Sequence, residues 1–152
     1  MNQPFIRHVG LHIAHSGEGS SELRLRIEAH HLNTNGVVHG GALFTLVDTG
    51  MGVALHSALA SDERCATVDA RISYFKPVHA GEVVCTSRLL HRSRQLAHLE
   101  STLTVDGVGI ATASGTFAVF VAQPSHIARS GTHRAVADDS SAATCVAGHK
   151  TE

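Results

Sequence analysis

A single carboxylate set into an apolar run is costly to keep, and Asp48 is such a residue. It stands within Ala42-Leu43-Phe44-Thr45-Leu46-Val47-Asp48-Thr49-Gly50-Met51-Gly52-Val53-Ala54-Leu55, and its helical neighbours at i−4, i+4 and i+7 are Phe44, Gly52 and Leu55, none of them charged. Charged side chains are almost never fully buried unless paired or hydrogen-bonded, so an acid here needs a reason. One reason is structural: Asp48 could bond a backbone amide or an arginine from a neighbouring sheet. The other is chemical, an acid placed to take a proton or to attack a reactive carbon. A second feature makes the chemical reading more specific. His39-Gly40-Gly41 lies where a polar loop passes into this run, and there the first N–H groups of a helix lack intrahelical partners while its dipole is positive. Such a terminus can hold a developing oxyanion, and glycines let a substrate reach the backbone without meeting a Cβ. Paired glycines alone would mean no more than a turn; an acid about two and a half helical turns past His39 gives them a partner.

The elements that must hold these groups follow from the pattern of apolar residues. Ala42 to Leu59, free of proline and apolar on nearly every face, predicts a helix enclosed by other structure, with close neighbours expected at Gly50 and Gly52, since glycine costs about 1 kcal/mol of helix propensity relative to alanine. Before it, Val9 to His15 and Glu22 to Ala29 read as strands, the second with Leu23, Leu25 and Ile27 alternating with Arg24, Arg26 and Glu28. Ser16 to Ser20 has the glycines of a hairpin turn. After the helix, and a polar break at Ala60 to Arg64, Ala66, Val68, Ala70, Ile72 and Tyr74 alternate with Thr67, Asp69, Arg71 and Ser73 until Lys76-Pro77. Val83 to His91, Gln95 to Val105 and Val108 to Val121 complete the set, with Asp106-Gly107 as a tight turn. Two strands, a helix and four strands give an α+β architecture, a curled antiparallel sheet of about six strands wrapped around one central helix. The expected division is a domain over 1–123 and a mobile tail over 124–152, where Ser, Ala, Thr, His and Gly dominate.

Composition removes several function classes. A chain of 152 residues with 43% hydrophobic and 16% charged residues can bury a full core in one domain, and its formal net charge of −1 offers no electrostatic case for nucleic acid. No apolar run is long enough to span a bilayer, and Met1 to Gly10 lacks the build of a signal peptide. Cys65, Cys85 and Cys145, odd in number and far apart, suit reduced thiols, so a cytoplasmic location is expected. The 13 histidines raise a metal hypothesis around His8, His12, His15 and His30-His31. Residues at i and i+4 of a strand lie too far apart to share one ion, so no metal site is expected. Cys85, inside an apolar strand, reads as a small core residue.

Asn33-Thr34-Asn35-Gly36-Val37-Val38-His39-Gly40-Gly41, followed by Leu43, Leu46, Asp48 and Ala54, resembles the signature of the phenylacetic-acid-pathway (PaaI-like) hot-dog thioesterases. The likeness continues through Ala66 to Tyr74, Lys76-Pro77, Gly81-Glu82 and Ser114 to Phe117, covering about Val9 to Phe120. It implies a hot-dog fold, a homodimer joined edge to edge or a dimer-of-dimers tetramer, active sites at the subunit interface, and hydrolysis of an aryl- or medium-chain acyl-CoA without a cofactor. It further implies that Asp48 is general base or nucleophile, the water route being preferred, and that the Gly40 N–H, supported by His39, polarises the thioester carbonyl. Asn33 would orient water or thioester, and Thr67 would complete the site opposite Asp48 across the interface. Gly41, Tyr74 and Phe75 would contact substrate, Met51 and Leu55 would help set the pocket, and Arg92 and Arg94 would meet the CoA phosphates, although solvated arginines at a strand edge would look the same in sequence. Two positions depart from the usual pattern: Thr34 stands where proline is common after the asparagine, and Ser93 where a glycine is common. Competing readings are a hot-dog acyl-thioester hydratase or dehydratase, whose loop motifs are not found here, a non-catalytic acyl-CoA-binding module, which need not keep Asp48, and a structural oligomer with Asp48 sealed from any cavity.

Overall fold

The computed structural model describes residues 3–122; the tail expected over 124–152, with Cys145, lies outside the described residues. A short helix α1 (Pro4–Val9) precedes β1 (Leu11–Gly17) and β2 (Ser20–Arg26), then comes the long helix α2 (Gly40–His56), then β3 (Glu63–Tyr74), β4 (Glu82–Arg92), β5 (Leu96–Val105) and β6 (Val108–Val121). The strands form one six-stranded sheet in the order β1-β2-β4-β5-β6-β3, every pairing antiparallel. β1 and β3 are therefore its edges.

Two hairpins rest on the turn chemistry expected of them. Glu18-Gly19 and Asp106-Gly107 all have positive φ, the requirement of a two-residue turn whose twist matches the strands it joins. Helix α1 was not foreseen; Pro4 at its first turn and the left-handed Gly10 at its end are the signals that could have revealed it. β2 stops at Arg26 rather than Ala29 because Ala29–His31 turns as a 3-10 helix. There His31 is buried, its Nδ1 accepting from the Glu28 N–H and its Nε2 lying 2.8 Å from the Val9 carbonyl. This fixes the neutral ring with its proton on Nε2 and ties the end of α1 to the loop before α2. β3 begins at Glu63, inside the expected polar break, because Glu63 pairs with Val121 of β6.

Helix α2 is covered on one side only. Leu43, Leu46, Val47, Gly50, Met51, Ala54 and Leu55 are buried against the sheet, while Phe44 remains 38% exposed and Asp48 and Gly52 are half-buried. The expectation of a helix enclosed on every face is thus corrected for the single chain: the apolar residues beyond the core stripe belong to an uncovered face. Gly50 has the close neighbour foreseen for it, since a Cβ there would fall 2.6 Å from Ser87 Oγ and 3.3 Å from Cys85 Sγ of β4. Gly52 has not, its nearest approach being the Phe117 ring at 4.0 Å. Around Gly50 the contact is also polar: Ser21 Oγ donates to the Gly50 carbonyl at 2.8 Å, and Ser87 and Ser101 share a hydrogen bond of 2.7 Å.

Candidate active site

Asp48 forms part of the wall of a cavity of about 540 Å³ between α2, β1, β3 and α1. Its Oδ1 accepts a hydrogen bond of 2.9 Å from Thr67 Oγ1 on β3 of the same chain, so Thr67 supports Asp48 from beside it rather than facing it across an interface. The reason is topological: the chain leaves α2 and returns along the sheet edge as β3, past the middle of the helix. Oδ2 has no hydrogen-bond partner among the described residues. Asp48 is half-buried rather than enclosed, which leaves this carboxylate accessible from the cavity. Among the cavity residues that went unnoticed in the sequence are Cys65, Thr49 and His56. Burial pushes the Cys65 thiol up from its ordinary range, and the Asp48 charge adds to the shift, so the thiol stays protonated and is a poor nucleophile. The signal for Cys65 was its place two residues before Thr67 on one strand, which puts both side chains on one face.

The amino-terminal end of α2 is a separate piece of chemistry. His39 is the N-cap, and its Nδ1 accepts from the Gly41 N–H at 2.9 Å; in the neutral ring this leaves the proton on Nε2 as an outward donor. A side chain at Gly41 would place its Cβ 2.9 Å from that Nδ1 and displace the cap. Tyr74 crosses from the end of β3, its hydroxyl donating to the Gly40 carbonyl at 2.9 Å and its ring so close that a Cβ at Gly40 would lie 3.3 Å from it. Burial holds the Tyr74 hydroxyl above its ordinary pKa, so it remains a donor. The first amide, Gly40 N–H, has no acceptor within the helix. Gly40, Tyr74, Phe75, Lys76 and Val37 border a second cavity of about 350 Å³, and Phe75 is 58% exposed beside it.

The remaining expected residues divide. Asn33 shapes the loop: its Oδ1 accepts from Asn35 N at 2.8 Å and Val37 N at 3.4 Å, while its N–H bonds the Val37 carbonyl. The loop closes in this way with Thr34 at the position where proline is common. Met51 and Leu55 are core residues with no exposure and border neither cavity. The Arg92 guanidinium grips both oxygens of Glu63 and also donates to the Ala58 carbonyl at 2.8 Å, so it pins the end of α2 to the sheet. Glu63 is held below the ordinary carboxylate pKa, first by the Ala60 N–H and then by Arg92. Arg94 is exposed and borders a surface cleft with Gln95 and Phe120. No cluster able to hold a metal ion occurs among the described residues, and none of their helices is long and apolar enough to cross a membrane.

A hot-dog sheet about one helix, an acid in a cavity and a helix terminus whose first amide has no acceptor within the helix define a class, and the comparisons agree with it. The thioesterase superfamily matches residues 35–111, and the chain belongs to that family, whose enzyme class is thioester hydrolysis. Human acyl-coenzyme A thioesterase 13 is 35% identical over 95 residues, covering 60% of this chain and 65% of that protein, just under two thirds of its length. The structure of a conserved protein from Pseudomonas aeruginosa superposes with a TM-score of 0.76 at 38% identity, covering 79% of this chain and 96% of that one. A variant of the phenylacetic acid degradation protein PaaI from Thermus thermophilus superposes at 0.71 with 26% identity, covering 76% and 98%.

Proposed function

We propose that this chain is an acyl-CoA thioesterase that hydrolyses an aryl- or medium-chain acyl-CoA to the free acid and CoA, needing no cofactor beyond the CoA of its substrate. The observation that carries the reading is the Asp48–Thr67 pair in the wall of an open, largely apolar cavity. Asp48 takes a proton from water, the resulting hydroxide adds to the thioester carbonyl, and the oxyanion is held by the Gly40 N–H with His39 Nε2–H beside it. Collapse breaks the C–S bond, and the departing thiolate recovers the proton from the Asp48 carboxyl. Asn33 contributes by shaping the loop that leads to this amide, and its free carboxamide nitrogen would orient the water or thioester.

One chain does not bring these groups together. Gly40 and Asp48 are eight residues apart on a single helix, about 12 Å along its axis, whereas an acid and an oxyanion donor must both lie roughly 3 Å from the reacting group. We therefore place each active site between two copies, Asp48 and Thr67 from one and the His39-Gly40 terminus from its partner. The free edge β3 is the natural joint, since it carries Thr67 and leaves Val68 and Tyr74 at 62% and 50% exposure in the single chain. Pairing of such dimers into tetramers would follow the same family pattern. Arg94 is the arginine still available to a CoA phosphate, Arg92 being engaged by Glu63. The free thiols Cys65 and Cys85 suit the reducing cytoplasm, where we expect the enzyme to work. An acyl-CoA-binding module without catalysis would have no use for Asp48 and Thr67 as a pair.

The test is thiol release from a panel of acyl-CoAs by wild type and Asp48→Asn, with assembly and thermal unfolding compared for both. The expected result is a fall in kcat of about 10³-fold in the variant with fold intact; no turnover by wild type on any thioester would remove the thioesterase reading.

A further inference from the structure

The Asp48 cavity has a direction. It does not run toward the helix terminus at Gly40 but the other way, past Gly52 and Val53 to His56, about 12 Å along the α2 axis from Asp48. Beyond the groups next to Asp48, its wall is made by Ile6 of α1, Ile13 of β1, Val53 and Phe117, with Gln3, Ser16 and His56 as the polar residues at that end. Ile13 is 40% exposed and Ile6 half-buried, so apolar surface faces this space without being packed. No lysine or arginine lines it among the described residues. A phosphate-bearing nucleotide finds no lysine or arginine there to neutralise it, whereas an alkyl chain finds a mostly apolar channel that starts at the Asp48 carboxylate.

Two residues govern the size of that channel. Gly52 lies one helical turn beyond Asp48 on the same face, and a Cβ added to it would meet only the Phe117 ring, at 4.0 Å. The space above Gly52 is therefore open, and it exists because position 52 has no side chain. At the far side stands Ile6, carried by α1, a six-residue helix that stops at the left-handed Gly10 and is tied to the body by His31 at the Val9 carbonyl.

We propose that Gly52 and Ile6 determine which acyl groups the enzyme accepts: the acyl chain leaves the carbonyl at Asp48, passes over Gly52 and ends against Ile6, in a channel suited to a linear chain of medium length. The assignment rests on the thioesterase reading for its substrate but on the cavity for its shape, and the two can fail separately. A side chain at position 52 blocks the channel near its mouth and selects against long chains; a smaller residue at position 6 lengthens it.

The experiment measures binding by calorimetry of S-ethyl-, S-octyl- and S-dodecyl-CoA, thioethers that have no carbonyl to hydrolyse, to full-length wild type, Gly52→Val and Ile6→Ala, beside kcat/KM for acetyl-, octanoyl- and dodecanoyl-CoA. Gly52→Val is expected to lower octyl relative to ethyl affinity by roughly 100-fold, and Ile6→Ala to raise dodecyl relative to octyl by about 10-fold. Should Gly52→Val not fold, Gly52→Ala replaces it, with a smaller shift of the same sign. Unchanged length ratios in folded variants at both positions, or wild type that binds octyl no better than ethyl, overturn the proposal. Length-dependent thioether binding with no turnover of any thioester removes the enzymatic reading and leaves the channel standing; turnover with no length dependence does the reverse.

Discussion

Gly50 and Gly52 are two residues apart on one helix, of one type, and opposite in purpose. Gly50 faces the sheet, where a Cβ would fall 2.6 Å from Ser87 Oγ and where Ser21 holds its carbonyl. Gly52 faces the cavity, where a Cβ would meet only a ring edge at van der Waals distance. Asp48 stands between the two situations: its own face opens to the cavity while the helix that carries it is pressed onto β4 from behind. A carboxylate on a helix is placed only as accurately as the helix is seated, so under the proposed role of Asp48 the tight contact at Gly50 and the empty space at Gly52 would serve one site. The difference shows why a glycine cannot be interpreted from its type alone: one permits close approach of the protein to itself, the other leaves room for something else.

The comparison can be broken at several points. Gly50→Val should cost the most stability, roughly 2 kcal/mol, because overpacking against Ser87 and Cys85 outweighs the small gain in helix propensity; denaturant unfolding would measure it, and a variant as stable as wild type would mean that the helix is not seated there. Thr67→Val keeps the shape and removes the hydrogen bond to Asp48 Oδ1. It should lower kcat about 10-fold, the worth of one bond to a charged group, with thermal unfolding little changed; equal rates would reduce Thr67 to a spacer. Tyr74→Phe loses the bond to the Gly40 carbonyl and should cost about 1 kcal/mol, read as a small fall in unfolding midpoint together with a change in kcat/KM. Gly52→Ala should have the smallest effect and the opposite sign, a gain of roughly 0.5–1 kcal/mol from propensity. Loss of stability at this position would show that the cavity is less open than its geometry indicates.

Much of the molecule was legible along the chain. β6 runs from Val108 to Val121 as its alternation predicts, the turn at Asp106-Gly107 has the positive φ that its residues allow, and α2 begins where His39-Gly40-Gly41 marks the passage from loop to helix. These are local matters: periodicity and turn chemistry act over a few residues, and the sequence displays them directly. The boundaries that moved did so for distant partners. β3 is extended to Glu63 by Val121, and β2 is cut short at Arg26 by the buried ring of His31 and its bond to Val9.

For the site, residue types were enough to single out Asp48 and the His39-Gly40-Gly41 terminus, because a charge in an apolar helix and glycines at a helix start are unusual in themselves. They could not tell that Thr67 bonds Asp48 within one chain, that Arg92 is occupied by Glu63, or that Met51 and Leu55 lie in the core while Ile6 and Cys65 line the cavity. Each of those facts depends on which face a side chain presents to an element tens of residues away. Sequence alone determined the six strands, the long helix and the chemical groups of this protein, since these follow largely from neighbouring residues. The pairing of those groups, the direction of the cavity and the different uses of Gly50 and Gly52 were decided only when the sheet closed around the helix, because long-range packing sets distances that no local pattern encodes.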